Sequence, residues 1–482
     1  MAARNRFPAG LELPPHKALA LQHGIQPAPE PARAFVAMDQ GSGHAATPAI
    51  AVGERVRIGT RIARATHANG TPVSSPVAGT VVSIEEHETA SPAGRGLCIV
   101  VDNDGSGVVD PACEPLCWES MPPYEVLARI QDAGIAGLGG AAFPAAAKLG
   151  AGRAHEVTHL VLNGAECEPW ICCDEALMRE RAADVLLGAR VMLHASGASH
   201  CTIAVEDDKP EAIAALRAAA TDPRMQITAI GTVYPAGAER QLLHAVTGME
   251  IPHREHPPTV GLLCQNVGTA AAVARLVTTG EPAIRRIVTV TGSGVGRPAN
   301  LDARIGTPLA ELAVACGGYQ RDPRRLIAGG TMTGRALETD EVPLTLAVMC
   351  VVAATAADLA VRGAEMPCIR CGDCARVCPA GLLPQQLHRA LLAGDEPLLE
   401  RHGLVDCIEC GCCDYVCPSR IPLTARFQRA RAASSLRHEE RLRAAHLRAR
   451  FERHERRMAE AAEAERRAFE DARRRARSER GG

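Results

Sequence analysis

The sequence predicts a multidomain α/β plus β protein, and three observations support this prediction. Short strand patterns separated by glycine fill much of the first hundred residues. Strands alternate with alanine-rich helices between about 120 and 285, and two cysteine runs begin at Cys368 and Cys407. With 482 residues, the chain is long enough for several domains. We therefore expect about three to five domains.

The N-terminal third divides into an arm and a β domain. Residues 1–32 are rich in proline and lack periodicity, which predicts an extended arm on another surface, or disorder. Residues 33–118 alternate apolar and polar positions, which predicts a barrel-sandwich-like β domain similar to lipoyl and biotinyl carriers. Carriers of this type place a lysine at a hairpin tip, where this chain has Ser74-Ser75-Pro76. We therefore expect a structural domain and not a carrier.

The middle of the chain predicts a three-layer, Rossmann-like α/β domain over residues 119–285. Apolar runs at 158–163 and 202–205 predict buried strands, and alanine-rich segments at 179–198 and 210–220 predict helices. Strands and helices that alternate in this way are typical of a parallel sheet covered by helices.

The following segment, 286–357, returns to strand-like runs and predicts a small β-rich module. Its longest mostly apolar run, 342–357, is shorter than the ~18 residues that a membrane-spanning helix needs. We therefore expect a buried helix at 342–357. No signal peptide is expected, because Met1 is not followed by an apolar segment. The net charge of −2 creates no strong field that would favour nucleic acid or a membrane surface.

Two cysteine runs in the segment 358–432 carry the strongest chemical signal. Each has the spacing C-x2-C-x2-C-x3-C-P, which is typical of bacterial ferredoxins that hold [4Fe–4S] clusters. In two-cluster ferredoxins the fourth cysteine of a run serves the other cluster. We therefore assign one cluster to Cys368, Cys371, Cys374 and Cys417, and the second to Cys407, Cys410, Cys413 and Cys378.

Zinc knuckles and disulfides are the alternatives for these cysteines. Zinc sites usually have two pairs of ligands separated by a longer loop, whereas three cysteines here follow one another at steps of three. Cys412 is out of register, and we expect it not to be a ligand. The chain has 19 cysteines, and several of those outside the runs lie in apolar stretches, as expected of reduced thiols in an intracellular protein.

A glycine loop precedes a predicted helix in the α/β domain. Gly134, Gly137, Gly139 and Gly140 would let the backbone approach a ligand closely. A glycine loop that leads into a helix N-terminus can bind an anion, and Lys148 would then face a phosphate. A tight connection between a strand and a helix explains the same pattern equally well. The chain has only three lysines, at 17, 148 and 209.

Two acids follow the predicted strand at 158–163. Glu166 and Glu168 flank Cys167, and ligands of α/β proteins gather at the carboxyl ends of strands. An ordinary polar loop is the alternative. Together with the glycine loop and two clusters, these acids favour a flavin site, because a flavin converts two-electron hydride transfer into the one-electron steps of clusters.

The tail, 433–482, is predicted to be a charged helix. From 435 onward it has 15 arginines and 10 acids, so pairs of opposite charge can form along a solvated helix. Phe451, Met458 and Phe469 are too sparse for a heptad seam. Partner docking, a surface helix and disorder remain open, whereas nucleic-acid binding is disfavoured because no aromatic residues interleave with the charges.

These residues resemble the C subunit of the Rnf-type (Rsx-type) electron transport complex. The resemblance covers about residues 7–430, and the middle of the chain is also similar to the flavin subunit of respiratory complex I. The motifs that carry it are Gly-Gly-Ala-Ala-Phe-Pro at 139–144 with Lys148, Asn-Gly-Ala-Glu-Cys-Glu-Pro at 163–169, Tyr-Pro-Ala-Gly-Ala-Glu-Arg-Gln-Leu at 234–242, Gln-Asn-Val-Gly-Thr at 265–269, and the paired cysteine runs. The family usually has glycine in place of Ala142, whose methyl group we expect close to the flavin phosphate.

The resemblance implies a peripheral subunit on the cytoplasmic face of the bacterial inner membrane that binds FMN and accepts electrons from NADH. It implies that FMN is held by Gly137, Gly139, Gly140, Phe143, Lys148, Asn163 and Asn266. Glu166, Glu168 and Glu239 would line the flavin or nicotinamide pocket as catalytic residues. Residues 286–357 would form a ubiquitin-like, β-grasp-like module. The implied partners are the other subunits of the complex, including a ferredoxin-like iron–sulfur subunit and membrane-embedded subunits, with no nucleic acid.

Two other functions fit the same motifs. A soluble flavin and iron–sulfur corrinoid (cobalamin) reductase would share the flavin and cluster modules, although residues 1–115 and the long tail favour the Rnf-type subunit. A non-catalytic electron-relay or scaffold subunit would have the same fold with an inactive flavin pocket. Reduction of a bound flavin by NADH distinguishes this last function from the catalytic one.

Overall fold

The computed structural model describes residues 7, 9–91, 93–320, 323–359 and 363–479, with the backbone alone at 438 and 439. The chain divides into two units, one formed by 1–385 with 406–421 and the other by 386–405 with 422–482. Within the described ranges, no helix is both long enough and apolar enough to cross a membrane.

The N-terminal arm lies on the rest of the first unit. Strand β1 (Ile25–Pro27) pairs in parallel with a strand that includes Asn300. Nearer the N-terminus, Leu11 and Tyr234 exchange two backbone hydrogen bonds of 2.8 Å. The expectation of an extended arm on another surface is confirmed for the described part of the arm, and residues 1–6 and 8 lie outside it.

The β domain that follows consists of two small antiparallel sheets. Its strands are β2 (Arg33–Ala37), β3 (Thr47–Pro48), β4 (Arg55–Val56), β5 (Arg61–Arg64), β6 (Val73–Ser74), β7 (Gly79–Glu88) and β8 (Arg95–Asn103). The sheet orders are β2-β8-β7-β4 and β3-β5-β6. Gly79 has φ +158°, and a Cβ there would lie 1.8 Å from the carbonyl oxygen of Asp102, so glycine is required. Ser75 is fully buried, as expected for a structural domain.

The α/β domain is built around a parallel sheet. Its elements are α1 (Pro123–Asp132), α2 (Ala145–Ala154), β9 (His159–Gly164), α3 (Cys173–Glu180), α4 (Ala182–Ser196), β10 (His200–Glu206), α5 (Pro210–Ala219), β11 (Met225–Ile230), α6 (Glu239–Thr247), β12 (Leu262–Asn266) and α7 (Val267–Thr279). The strand order is β11-β10-β9-β12, and all pairs are parallel. The expected strands and helices are confirmed, except that Arg181 divides the predicted helix at 179–198 between α3 and α4.

Apolar packing on both faces holds this sheet in place. Ile203 and Ala204 of β10 point to opposite faces of the sheet and are both fully buried, which is typical of a parallel strand covered on both sides. Gly188 of α4 packs directly on α7, because a Cβ at this position would lie 1.8 Å from the carbonyl oxygen of Ala270. The close contact between these helices fixes the start of α7 beside β12.

The β-rich module contributes a mixed sheet. Its elements are β13 (Arg285–Thr291), β14 (Ala299–Arg304), α8 (Leu309–Ala315), β15 (Arg325–Ala328), β16 (Arg335–Leu337) and β17 (Cys350–Ala354). The strand order is β1-β14-β13-β17-β15-β16, so the N-terminal arm supplies the edge strand beside β14. The expectation of a β-rich module is therefore confirmed.

The prediction of a buried helix at 342–357 is wrong. The apolar part of this run forms β17, which lies between β13 and β15. Each residue of β17 is at most 3% exposed. A strand that is buried on both faces shows a continuous apolar run, which periodicity alone does not distinguish from a buried helix segment.

The C-terminal region is helical. Its helices are α9 (Asp373–Arg376), α10 (Pro384–Ala393), α11 (Glu396–Arg401), α12 (Cys412–Tyr415) and α13 (Leu423–Ser478). The cysteine runs, with α9 and α12, belong to the first unit, whereas α11 and α13 belong to the second. Most side chains of α13 are exposed, and pairs such as Arg467–Glu463 at 2.5 Å form along it. The predicted charged helix is thus confirmed.

Candidate functional site

The site begins where the strand order of the parallel sheet reverses. β9 is followed in space by β10 and β11 on one side and by β12 on the other. Asn163 near the end of β9 and Asn266 at the end of β12 are partners in the register. Ligands of open α/β sheets bind outside the carboxyl ends of strands at such a switch point.

A cleft of about 190 Å³ opens at this position. Five of the residues that the sequence predicts for the site line it, namely Gly139, Asn163, Glu166, Glu168 and Asn266. Tyr234, Ile408 and Cys410 also line it, so one wall belongs to the second cysteine run. Gly137, Gly140, Phe143, Lys148 and Glu239 are not among the described lining residues.

Both asparagine side chains are fixed by the protein. The Asn266 Oδ1 caps α7 by accepting from the N–H groups of Gly268 at 2.8 Å and Thr269 at 3.3 Å. Asn163 Nδ2 donates to the carbonyl oxygen of Gly237 at 2.8 Å. These bonds preorganise the cleft edge, because neither amide can rotate without losing a partner.

The glycine loop closes on the same edge. Gly137 N–H donates to the carbonyl oxygen of Phe143 at 2.8 Å, so the loop returns on itself before α2 begins. A Cβ at Gly139 would lie 3.4 Å from the Asn266 side chain. The bare Cα of Gly139 therefore leaves the space above Asn266 open to a ligand.

Ala142 occupies a backbone conformation that favours glycine. Its φ is +45°, in the left-handed region that costs other L-residues roughly 1–2 kcal/mol. The residue is 1% exposed and belongs to the apolar core that includes Val36 and Ile62 of the β domain. Its methyl group therefore packs in that core, while the expected proximity of this methyl group to the flavin phosphate stays a prediction.

Lys148 and Glu239 form an ion pair beside the cleft. Lys148 Nζ lies 2.5 Å from Glu239 Oε1 and donates to the carbonyl oxygen of Cys264 at 3.3 Å. Glu239 raises the pKa of Lys148, although burial opposes that shift. The lysine is charged at neutral pH, and its charge is directed at a carboxylate of the protein.

Glu166 is buried and holds the start of α3. Its carboxylate accepts hydrogen bonds from the N–H groups of Asp174 at 2.9 Å and Glu175 at 3.1 Å, which is the position where a helix stabilises negative charge. Lys17 of the arm donates to the Glu166 carbonyl oxygen. Burial, with a contribution from Glu166, raises the pKa of Asp174 to about 7.

Glu168 holds the loop between β15 and β16. Its Oε1 accepts from the N–H groups of Met332 at 2.7 Å and Thr333 at 2.8 Å, and its Oε2 accepts from the Thr333 hydroxyl at 2.8 Å. All three acids proposed from the sequence thus have protein partners, which lie on α3, on the loop between β15 and β16, and on α2.

Tyr234 joins the cleft to the second cysteine run. The side chain is buried, and its hydroxyl donates to the carbonyl oxygen of Cys410 at 2.5 Å. Burial raises the pKa of Tyr234 well above its ordinary value, and Glu168 and Cys410 contribute to that shift. The phenol therefore remains neutral and acts as a donor.

The two cysteine runs share one local conformation. Arg370 and Glu409 occupy equivalent positions with φ +60° and +58°. Gly372 and Gly411 follow with φ +83° and +79°, and each precedes a one-turn helix. The backbone conformation around the cysteines is therefore repeated from the first run to the second.

Some thiols lie close to cysteines of the other run, and this proximity affects their pKa values. Burial raises the pKa of Cys374, and nearby Cys371 and Cys417 raise it further. Burial likewise raises the pKa of Cys378, and Cys410 adds to that effect. In each pair, the fourth cysteine of one run lies close to thiols of the other run.

Cys412 is fully buried and acts on a neighbouring thiol. A hydrogen bond from Cys412 is the main cause that lowers the pKa of Cys410, while the same bond and burial raise the pKa of Cys412 itself. Donation of this kind stabilises the Cys410 thiolate. The expectation that Cys412 is not a ligand stays a prediction.

Sequence reasoning did not assign a role to Tyr234, Ile408 or Asp174. Tyr234 lies within the motif at 234–242 that carries the family resemblance. The motif therefore marks this residue, but it does not indicate what the phenol does. Lys17 is one of only three lysines in the sequence. Its side chain is buried near acidic residues, where a positive charge offsets theirs.

Comparison with known protein families identifies four segments. The matches are the RnfC barrel sandwich hybrid domain at 5–106, the Nuo51 FMN-binding domain at 130–275, the SLBB domain at 287–336 and the 4Fe-4S dicluster domain at 367–421. They confirm the expected barrel-sandwich domain, FMN-binding domain and pair of iron–sulfur sites. The β-rich module matches the SLBB domain over most of its strands.

Several curated proteins are similar over most of this chain. The C subunit of the ion-translocating oxidoreductase complex of Pseudomonas aeruginosa is 43% identical over 95% of this chain and 59% of its own length. The Erwinia tasmaniensis protein of that name is 40% identical over 94% and 56%, so the chain spans somewhat more than half of these two relatives. The Rhodobacter capsulatus protein is 38% identical over 88% of this chain and 82% of its own length. The chain therefore belongs to the family formed by the C subunits of ion-translocating oxidoreductase complexes.

Proposed function

We propose that this chain is the NADH-oxidising peripheral subunit of a membrane-bound, ion-translocating electron transport complex. Electrons would enter at the cleft, pass through the two cysteine runs, and leave to the other subunits. The observation that carries this proposal is the shared wall of the cleft. Ile408 and Cys410 of the second run line the same cleft as Asn163 and Asn266, so the flavin site and a cluster site adjoin.

The cleft fits FMN by the chemistry of its edges. The bare backbone at Gly139 leaves room beside Asn266, and the fixed amides supply polar contacts. We propose that Gly137, Gly139, Gly140, Phe143, Lys148, Asn163 and Asn266 hold FMN. Glu166, Glu168 and Glu239 would orient the flavin and nicotinamide through the elements that they hold.

The eight cysteines fit two [4Fe–4S] clusters. Their conformations repeat between the runs, and the crosswise neighbours of Cys374 and Cys378 support the assignment in which Cys417 completes one ligand set and Cys378 the other. When bound, FMN accepts a hydride equivalent and releases single electrons, which the clusters carry one at a time. The protein keeps these sites adjacent and orders them in space.

The second run is the proposed entrance and the first run the proposed exit. Cys410 lines the cleft, whereas Cys368 and Cys371 are exposed. An exposed site suits delivery to a partner such as a ferredoxin-like iron–sulfur subunit. The cytoplasmic face of the inner membrane, where NADH is available and membrane-embedded subunits are within reach, is the proposed location.

Finer features of the fold belong to the same proposal. The order β11-β10-β9-β12 places the third, second, first and fourth strands of the α/β domain side by side, which supports a Rossmann-like arrangement. We also propose that the module at 286–357 is β-grasp-like.

Anaerobic analysis of the purified full chain tests the proposal. We expect about eight irons per chain, one flavin released on denaturation, and bleaching of the flavin absorbance by NADH. Zinc in place of iron, or a preparation without flavin, would contradict it.

A non-catalytic relay is the second candidate, and one observation favours it. The carboxylates of Glu166, Glu168 and Glu239 all have protein partners, so none is a free base in this conformation. A bound flavin that dithionite bleaches but NADH does not would establish the relay.

A further inference from the structure

Tyr234 links two regions that are distant in sequence. The residue is 4% exposed, it lines the cleft, and its hydroxyl donates to the Cys410 carbonyl oxygen at 2.5 Å. A short hydrogen bond from a buried phenol restricts the acceptor strongly, because little water is present to replace it. This hydrogen bond therefore fixes the backbone of the second run at the wall of the cleft.

The backbone of Tyr234 is itself held by the N-terminal arm. Tyr234 and Leu11 exchange two backbone hydrogen bonds of 2.8 Å. Gly10 has φ +141°, and a Cβ there would lie 2.4 Å from the Tyr234 carbonyl oxygen. The arm therefore packs directly on Tyr234, and the phenol extends from a fixed backbone toward Cys410.

The first run has a weaker connection to the α/β domain. Gln241 Nε2 donates to the carbonyl oxygen of Pro379 at 3.4 Å, which is long for a hydrogen bond. Residues 363–371, which include Cys368 and Cys371, are exposed. Both runs have the same internal turns, but within the described residues the second run is joined to a cleft residue by a short, partly buried hydrogen bond.

We propose that Tyr234 is a positioning residue that holds the Cys410 backbone against the cleft and so sets the coupling between the flavin site and the second run. This inference rests on the proposed function. It assigns no redox change to Tyr234, whose role is to donate one hydrogen bond. Loss of that bond should loosen the second run alone and leave the first run unchanged.

Tyr234→Phe in the full chain tests the proposal, with Tyr319→Phe as the matched control. Tyr319 also donates its hydroxyl to a protein oxygen, Asp340 Oδ2 at 2.9 Å, but it lies in the β-rich module and does not line the cleft. Hydrogen exchange of the peptides that cover 405–417 and 366–380 gives a readout that does not depend on turnover. We expect faster exchange at 405–417 in Tyr234→Phe and no change at 366–380.

Anaerobic spectroscopy gives the second readout. In Tyr234→Phe, the reduction of the clusters by the reduced flavin should slow by up to about tenfold, the scale of one lost hydrogen bond, and this step is timed separately from the bleaching of the flavin by NADH. The electron paramagnetic resonance signal of one cluster should change and that of the other should remain. Tyr319→Phe should match the wild type in every measurement.

Several results would overturn the proposal. Tyr234→Phe that matches the wild type in exchange, kinetics and resonance signals would do so, as would equal changes at both cysteine runs. If the variant loses iron, selective loss of about half supports the proposal, and equal loss from both sites contradicts it. A wild-type protein whose flavin NADH cannot bleach refutes the proposed function instead, while the exchange experiment still tests Tyr234.

Discussion

The two cysteine runs have the same spacing and the same turns but different surroundings. Ile369 and Ile408 occupy equivalent positions, yet Ile369 is 66% exposed whereas Ile408 lines the cleft. Cys371 is exposed, while its counterpart Cys410 is half-buried and has its carbonyl bound by Tyr234. In the proposed function, the motif determines what is bound, and the packing around it determines where electrons enter and leave.

The largest expected effect separates the paired variants Cys410→Ser and Cys371→Ser. Each should lose about four of about eight irons, because each removes one ligand of one cluster. Cys410→Ser should also prevent reduction of the remaining cluster by NADH, whereas Cys371→Ser should retain reduction of one cluster. Iron assays and absorbance during anaerobic NADH addition measure both effects. Identical behaviour of the two variants would remove the distinction between entrance and exit.

A chelator should remove iron from the more exposed cluster first and from the other cluster later. Because Cys368 and Cys371 are exposed, we expect a chelator with mild oxidant to remove about half of the iron in a fast phase and the rest in a slow phase. The spectrum after the fast phase should still respond to NADH. A single phase would show that both sites are equally accessible.

The two equivalent isoleucines offer a smaller but direct comparison. Ile408→Ala should weaken flavin binding by about tenfold, since it removes apolar surface from the cleft wall. Ile369→Ala should leave flavin binding unchanged and shift unfolding by less than about 0.5 kcal/mol, as usual for exposed positions. Flavin fluorescence titration and thermal unfolding measure the two properties. Equal effects would argue against the cleft wall formed by the second run.

Cys412 tests why the second run differs internally from the first. Asp373 is its counterpart in the first run, whereas the second run has the buried thiol of Cys412 beside Cys410, a proposed ligand. Cys412→Ala should keep all of the iron but alter the reduction potential of one cluster, because the donor to Cys410 is lost. Loss of about half of the iron would instead identify Cys412 as a ligand.

The smallest effect is expected at Ala142, which touches neither run. Ala142→Gly relieves a left-handed backbone worth about 1 kcal/mol but removes a buried methyl worth about 0.8 kcal/mol. Stability should therefore change by less than about 1 kcal/mol in urea unfolding, and flavin affinity should be unchanged. A large gain in flavin affinity would show that the methyl group does reach the ligand.

The cysteine sites were predicted from local spacing, and the family and the two asparagines at the switch point were predicted from motifs that resemble a known family. The sequence could not show that Glu166 caps α3 or that Glu168 binds the loop at Met332, since both contacts depend on how distant segments pack. Tyr234 and Cys410 are 176 positions apart, so no periodicity relates them. The error at β17 has a different origin, namely that full burial erases the alternation that marks a strand.

The pairing of Leu11 with Tyr234 has a consequence for biosynthesis. Residues near the amino terminus leave the ribosome first, yet their partners at 234 and 300 are made much later. The arm therefore cannot form these backbone pairs until most of the polypeptide has emerged from the ribosome. Fusion of a bulky tag close to Leu11 is consequently a poor choice for production of this protein, and a carboxyl-terminal tag on α13 is preferable.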